Sequence, residues 1–274
     1  VTPSTTSRRP GRRAYLLITV FALLLVLFPF LFWYGTWFGR RLSDNEITEY
    51  LNNAAAKPRK AQHALVQMGE RISRGDTRVQ QWYPKVVALS GNPSLELRQT
   101  DAWLMGQDHT YEPFHAALGK LLADPAPMVR RNAALSLTNF GDASGRSELL
   151  AMLHSYTILS LVAGPVKYRL KVGEYVNPGT LVGRVSTEEI RSPVPGEVLW
   201  LKQRDGAEVR TGEPLVELSA DKEHAWEALR GLLRVGQKQD LEDVQRYARG
   251  VAGMPDRVRR QAALTLQEIR NRAQ

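Results

Sequence analysis

The feature that most constrains this chain is a repeated helical signature that stands on both sides of a segment of different character. Asp124-Pro125-Ala126-Pro127-Met128-Val129-Arg130-Arg131-Asn132-Ala133-Ala134-Leu135 reads as a turn followed by helical spacing. Proline costs little at a helix start, where its missing N–H would be unpaired anyway. The small Ala133 and Ala134 let a neighbouring helix come close. The pattern occurs 32 residues earlier as Asn92-Pro93-Ser94-Leu95-Glu96-Leu97-Arg98, followed by Ala102. It returns at an offset of 129 as Pro255-Asp256-Arg257-Val258-Arg259-Arg260-Gln261-Ala262-Ala263-Leu264. A helix pair recurring at such a period predicts stacked units, each burying its apolar face on the next.

Between Tyr156 and Asp221 valine, glycine and proline rise, and alternation replaces helical spacing. This predicts short strands joined by turns. The segment is itself duplicated. Ser160–Val166 aligns with Ser192–Val198, and Gly173, Val176, Gly179, Val182 and Val185 align with Gly206, Val209, Gly212, Leu215 and Leu218. Gly164, Gly173, Gly179, Gly196, Gly206 and Gly212 are the candidate turn glycines, since glycine reaches positive φ without steric cost.

The D-P-x-P-x-V-R-R-x-A-A-L stretch resembles the short bacterial HEAT-like repeats. That resemblance implies α-helical hairpins forming a binding surface, with Arg98, Arg130 and Arg259 bridging to acids or carbonyls of an adjoining repeat. Val172–Gly179, Asp205–Gly212 and Ser192-Pro193-Val194-Pro195-Gly196 resemble the biotinyl/lipoyl carrier fold, a barrel-sandwich hybrid of two interlocked halves. Carriers present a modifiable lysine on the hairpin between the halves. Here that hairpin reads Val185-Ser186-Thr187-Glu188-Glu189-Ile190-Arg191, without lysine. The resemblance therefore implies no covalent lipoate or biotin, and a barrel similar to that of membrane-fusion adaptor proteins.

No charged residue occurs from Ala14 to Gly39. As a helix at about 1.5 Å per residue this run reaches ~39 Å, more than a ~30 Å hydrocarbon core requires. It predicts a transmembrane helix over 14–39, with Tyr15, Trp33, Tyr34, Trp37 and Phe38 as membrane-interface or packing aromatics. No A-x-A pattern follows, so the expectation is an uncleaved anchor. Four arginines precede the run and two follow it. That bias predicts a cytoplasmic N-terminus and a periplasmic bulk in a bacterial inner membrane.

Residues 1–41 hold six arginines and no acid, so most of the net charge of +9 sits there. Only +3 remains for residues 42–274, which weakens any expectation of nucleic-acid binding. Without cysteine the chain has no disulfides, thiolate ligands or thiol nucleophile. The five histidines stand in no metal-binding spacing, and no G-x-S-x-G, Walker A or G-x-G-x-x-G pattern occurs. Asp108-His109 near His115, and the adjacent Glu188-Glu189, read as ordinary exposed residues.

The expected fold class is α+β and membrane-anchored: one N-terminal transmembrane helix and a HEAT-like α-solenoid interrupted by a small all-β barrel-sandwich hybrid. The expected divisions are a basic tail (1–13), the span (14–39), helices (43–155), the β barrel (156–221) and C-terminal helices (222–274). The expected function is non-catalytic: an accessory or scaffold subunit stabilising a membrane complex, respiratory or photosynthetic type first, through extrinsic protein–protein contacts. Its partners would be the bilayer and the other subunits, with no cofactor, metal or nucleic acid. The alternative is a periplasmic adaptor of an export or efflux machine.

Overall fold

The computed structural model describes residues 12–35 and 40–274. The protein is α+β, and its chain divides into two compact units, residues 1–47 and 48–274.

The first unit contains helix α1 (Arg12–Gly35), which runs through Pro29, and the start of α2 (Asp44–Asn52). The transmembrane span over 14–39, and with it the membrane-anchored class, is corrected. Among the described residues no helix is long and apolar enough to cross a membrane. The side chains of Tyr15, Trp33 and Tyr34, and all of Trp37 and Phe38, lie outside the described residues, as do residues 1–11 of the basic tail. Ser43 starts α2 through a capping box: its N–H donates to Glu46 Oε2 (2.9 Å), and Glu46 N–H donates to Ser43 Oγ (3.3 Å). These bonds, led by the Ser43 N–H and helped by Arg40, hold the Glu46 carboxyl down at about 2.

In the second unit come α3 (Pro58–Ser73), α4 (Tyr83–Leu89), α5 (Leu95–Met105), α6 (Glu112–Leu121), α7 (Pro127–Leu137) and α8 (Arg146–Ala151). Proline at the first positions of α3, α4, α6 and α7 presets the helical φ. The repeat signature is visible in the bonding. Arg98 donates through Nη1 to the carbonyls of Asn92 (2.8 Å) and Pro93 (3.0 Å) and pairs through Nε with Asp124 (2.6 Å). Arg130 donates through Nη1 to the carbonyls of Asp124 (2.9 Å) and Pro125 (3.2 Å) and pairs through Nε with Glu148. Each arginine thus ties its own turn to the next one. Burial alone would raise the Asp124 carboxyl, but the bonds from Arg98 and the Ala126 N–H hold it below the usual carboxylate range. Arg259 differs, pairing with Asp256 in the first turn of its own helix (2.6 Å).

Eight strands follow: β1 (Tyr156–Leu159), β2 (Gly164–Tyr168), β3 (Tyr175–Val176), β4 (Leu181–Val185), β5 (Glu188–Arg191), β6 (Gly196–Leu201), β7 (Glu208–Val209) and β8 (Pro214–Leu218). They form two antiparallel sheets, ordered β1-β8-β6-β3 and β5-β4-β2-β7. The sequence duplication maps β1 onto β5, β2 onto β6, β3 onto β7 and β4 onto β8. Each sheet therefore mixes strands of both halves, and the mapping turns one sheet order into the other. Equivalent bonds recur: Gly179 N–H to Ser192 O and Gly212 N–H to Ser160 O, both 2.7 Å. Ser160 Oγ and Ser192 Oγ each donate to a carbonyl two residues on, at 2.6 Å. The inward valines, with Ile158, Ile190, Leu215 and Leu218, make one core, and Met128 from the first turn of α7 is part of it.

Of the six candidate turn glycines, Gly173, Gly179, Gly206 and Gly212 have φ between 81° and 90° and open space around them. Gly164 (φ 142°) opens β2 rather than a turn. Gly196 opens β6 without positive φ; it is needed because a Cβ there would stand 2.6 Å from Ser219 O. Gly183, absent from the sequence reading, is tighter than Gly196, since its Cβ would stand 2.4 Å from Lys167 O on the paired strand. Gly183→Ala should lower stability by about 1–3 kcal/mol, because backbone rather than a flexible side chain must yield. Urea unfolding of the two proteins checks this.

The chain then returns to helices: α9 (Lys222–Val235), α10 (Leu241–Arg249) and α11 (Asp256–Arg272). They do not form a separate body. Ala134, Leu149, Met152 and Leu153, before the strands, share one apolar core with Ala225, Leu229, Leu232, Val244, Tyr247, Val258 and Ile269, after them. Tyr247 donates to the Leu153 carbonyl (2.8 Å), and Arg146 pairs with the fully buried Asp240 (3.0 Å). The β module is thus an insertion in a helical array that closes across it.

Candidate functional site

The helices that follow one another across the array are α5, α7, α9 and α11. Two buried hydroxyls fix their register. Ser136 Oγ on α7 donates to the Ala102 carbonyl of α5 (2.7 Å). Thr265 Oγ1 on α11 donates to the Leu229 carbonyl of α9 (2.8 Å). Ser136 and Thr265 stand at the 129-residue offset, so the bonds are equivalent. Trp103 thus stands level with Leu135 across α5 and α7, and Arg230 with Leu264 across α9 and α11. Trp103, Arg230 and Leu264 are exposed, and Leu135 is half-buried.

Trp103, Leu135 and Arg230 border a groove of about 300 Å³. Trp103 and Gln107 line it from α5 and the turn after it, Asn132, Leu135 and Asn139 from α7 and its following turn, and Glu227, Arg230 and Arg234 from α9. The helices sit close because glycines remove bulk where they meet: a Cβ at Gly106 would stand 2.4 Å from Ser136 Oγ, and one at Gly231 would stand 3.1 Å from Thr138 Cγ2. The amides brace the walls. Asn132 Nδ2 donates to Gln99 O (2.9 Å), and Asn139 Nδ2 donates to Gly106 O (3.0 Å). Asn139 Oδ1 also receives Arg234 Nη1 (2.7 Å). The guanidinium of Arg230 lies over the Trp226 ring, 4.7 Å from its centroid, with Arg257 5.3 Å from the same centroid. Glu227 is exposed by surface area, yet protein atoms crowded around its carboxyl push its pKa up.

A second polar cluster joins the β module to α9. Tyr175 on β3 donates to Asp221 Oδ2 (2.8 Å), and Asp221 Oδ1 caps α9 by accepting the His224 N–H (3.0 Å). His224 Nδ1 stands 3.0 Å from the same oxygen but without hydrogen-bond geometry. Burial would raise the Asp221 carboxyl, but the His224 and Tyr175 bonds drive it far below the usual range. Burial, with the Asp221 bond, pushes the Tyr175 hydroxyl up to about 12. The cluster is a joint: each carboxylate bond is spent on a cap or a strand-to-helix tie.

Two buried groups stand apart. Asp101 on α5 is fully buried, and neither carboxylate oxygen has a hydrogen-bond partner. Desolvation drives its pKa well above the ordinary value. Arg131 is buried with Nε unpaired, and burial lowers its pKa.

The histidines do not converge on a metal. His115 sits between Glu112 (3.2 Å) and Asp142 (2.7 Å), stacked on Phe140, and His109 meets the edge of that ring. Asp108 is taken by Tyr83 and Thr110. Among the described residues no group of three or more His, Asp or Glu could hold a metal ion. Glu189 is held between Arg184 (2.9 Å) and Arg191 (2.7 Å) at the edge of its sheet.

Sequence reasoning missed the groove residues Trp103, Asn139, Arg230 and Arg234. Helix α9 lacks the V-R-R-x-A-A-L signature, so nothing in its spacing places it beside α7. The alignment of Trp103 with Leu135 at 32 residues was the one available signal. The chain matches no protein-family model, and no curated protein matches it.

Proposed function

We propose that this chain is a non-catalytic scaffold that holds a partner polypeptide in the groove between α5, α7 and α9. In this reading the helices act as HEAT-like repeats, and the β module as an unmodified lipoyl-like barrel that braces α7 and α9. The observation that carries it is the groove: apolar steps at Trp103 and Leu135, braced amides, and a charged wall on α9, all on rigid helices. Apolar anchors within a polar surround are what stable recognition surfaces use. The recurring arginine clamps and the core shared across the insertion support it, since both fix the groove's shape without ligand. For the barrel, the support is the exchange of strands between its halves and the lysine-free Ser186-Thr187 tip of the β4–β5 hairpin.

A photo-crosslinking residue at position 135 tests the reading in the cells that make the protein. A discrete adduct should form from position 135 and be missing from position 242 on α10. Equal yields of the same adducts from both positions would reject it.

A further inference from the structure

We propose that the occupant of this groove is an extended polypeptide segment bearing carboxylates at alternate positions, which seat on Arg230 and Arg234. This rests on the groove being a docking surface, and adds which chemistry it selects. Arg230 and Arg234 form no ion pair with a carboxylate of this chain among the described residues. Both are nonetheless held in place. Arg234 is tied to Asn139 Oδ1, and Arg230 lies over the Trp226 ring with its Cζ 4.7 Å from the ring centroid, a contact that uses none of the five N–H donors a guanidinium offers a carboxylate. A pre-placed guanidinium loses little entropy when it pairs, so these two are better anion receptors than mobile surface arginines.

Spacing points to the same ligand. Arg230 and Arg234 are one helical turn apart, which sets their Cβ atoms ~6 Å apart. Alternate residues of an extended chain lie ~6.6–7 Å apart on the same side. A segment along α9 can therefore put two successive same-side carboxylates on the two guanidiniums. Its other side chains then face Leu135 and Trp103. Glu227 is the one opposing charge among the lining residues, one carboxyl against two guanidiniums.

The test uses the full chain and two labelled peptides of about twelve residues, one with Glu alternating with Leu or Phe, the other with Gln at every Glu. Fluorescence anisotropy should show the acidic peptide binding at least roughly tenfold tighter than the Gln peptide. The R230Q/R234Q variant should remove that preference, and both residues are exposed, so its fold is checked by circular dichroism. Raising salt from about 50 to about 300 mM should weaken the acidic peptide selectively. Trp103→Ala should weaken both peptides alike. Equal affinity for the two peptides, or an acidic preference that survives R230Q/R234Q, overturns the proposal. If the Gln peptide binds as well and depends on Trp103, the charge selectivity fails while the docking surface stands. If neither peptide binds, or the groove proves occupied by a second copy of the chain in sedimentation, both fail.

Discussion

Asp101→Ala should make the protein more stable, by an amount that grows with pH. A fully buried carboxyl without hydrogen-bond partners cannot ionise cheaply, so it holds its proton in the folded chain. In the unfolded chain the same group ionises near pH 4. The folded state then binds more protons than the unfolded one, and linkage makes stability fall as pH rises. The loss is about 1.4 kcal/mol per pH unit from roughly pH 4 upward, until the folded carboxyl itself ionises. Alanine removes this dependence, and the repeats show that it fits: Ala133 and Ala262 occupy the equivalent position and are fully buried. Urea unfolding of both proteins at pH 5, 6, 7 and 8 isolates the effect, because the other titrating groups cancel in the difference. The account expects a difference that widens with pH in favour of the variant. A pH-independent difference, or a variant weaker throughout, would show that Asp101 finds a partner or solvent. Asp101→Asn, which keeps the shape without titrating, should also lose the pH slope.

Arg146→Met should cost about 3–5 kcal/mol. Asp240 is fully buried, and Arg146 reaches it from α8, on the far side of the inserted strands. Asp240 Oδ2 also accepts the Gln237 N–H (2.8 Å), so the carboxylate is fixed in place and cannot turn to water. Removing the guanidinium leaves an uncompensated buried charge, which is why the loss exceeds that of a surface pair. Replacing Asp240 by Asn in the same chain should recover part of it, giving a coupling energy above about 1 kcal/mol in a double-mutant cycle. A loss under about 1 kcal/mol for Arg146→Met would mean that the helices after the insertion do not lean on those before it.

Parts of this architecture could be read from spacing alone. Ser43 and Glu46 form a capping box because two side chains three residues apart meet at a helix start. Arg98 and Arg130 recur in the same local frame, so their carbonyl clamps follow from local geometry. Arg259 carries the same motif but pairs within its own helix, with Asp256 in the first turn. Other features depend on contacts that no local pattern carries. Asp101 falls where the repeat has alanine, and only packing reveals that its carboxyl is sealed. Helix α9 docks on α7 through Gly231 and shared apolar side chains, without the repeat signature. Gly183 reads as one more strand residue until its partner carbonyl is placed against it. At the N-terminus an uncharged run suggested a span, and no helix among the described residues is long and apolar enough to cross a membrane.

The claim beneath the Arg146 prediction and the proposed role is that helices on the two sides of the β module are one cooperative body. Native-state hydrogen exchange followed by mass spectrometry tests it most directly. The account predicts that the amides of α7 (127–137), α9 (222–235) and α11 (256–272) exchange through openings of the same free energy, and that Arg146→Met lowers all three together. Faster exchange of α9 and α11 than of α7, unchanged by that substitution, would contradict it.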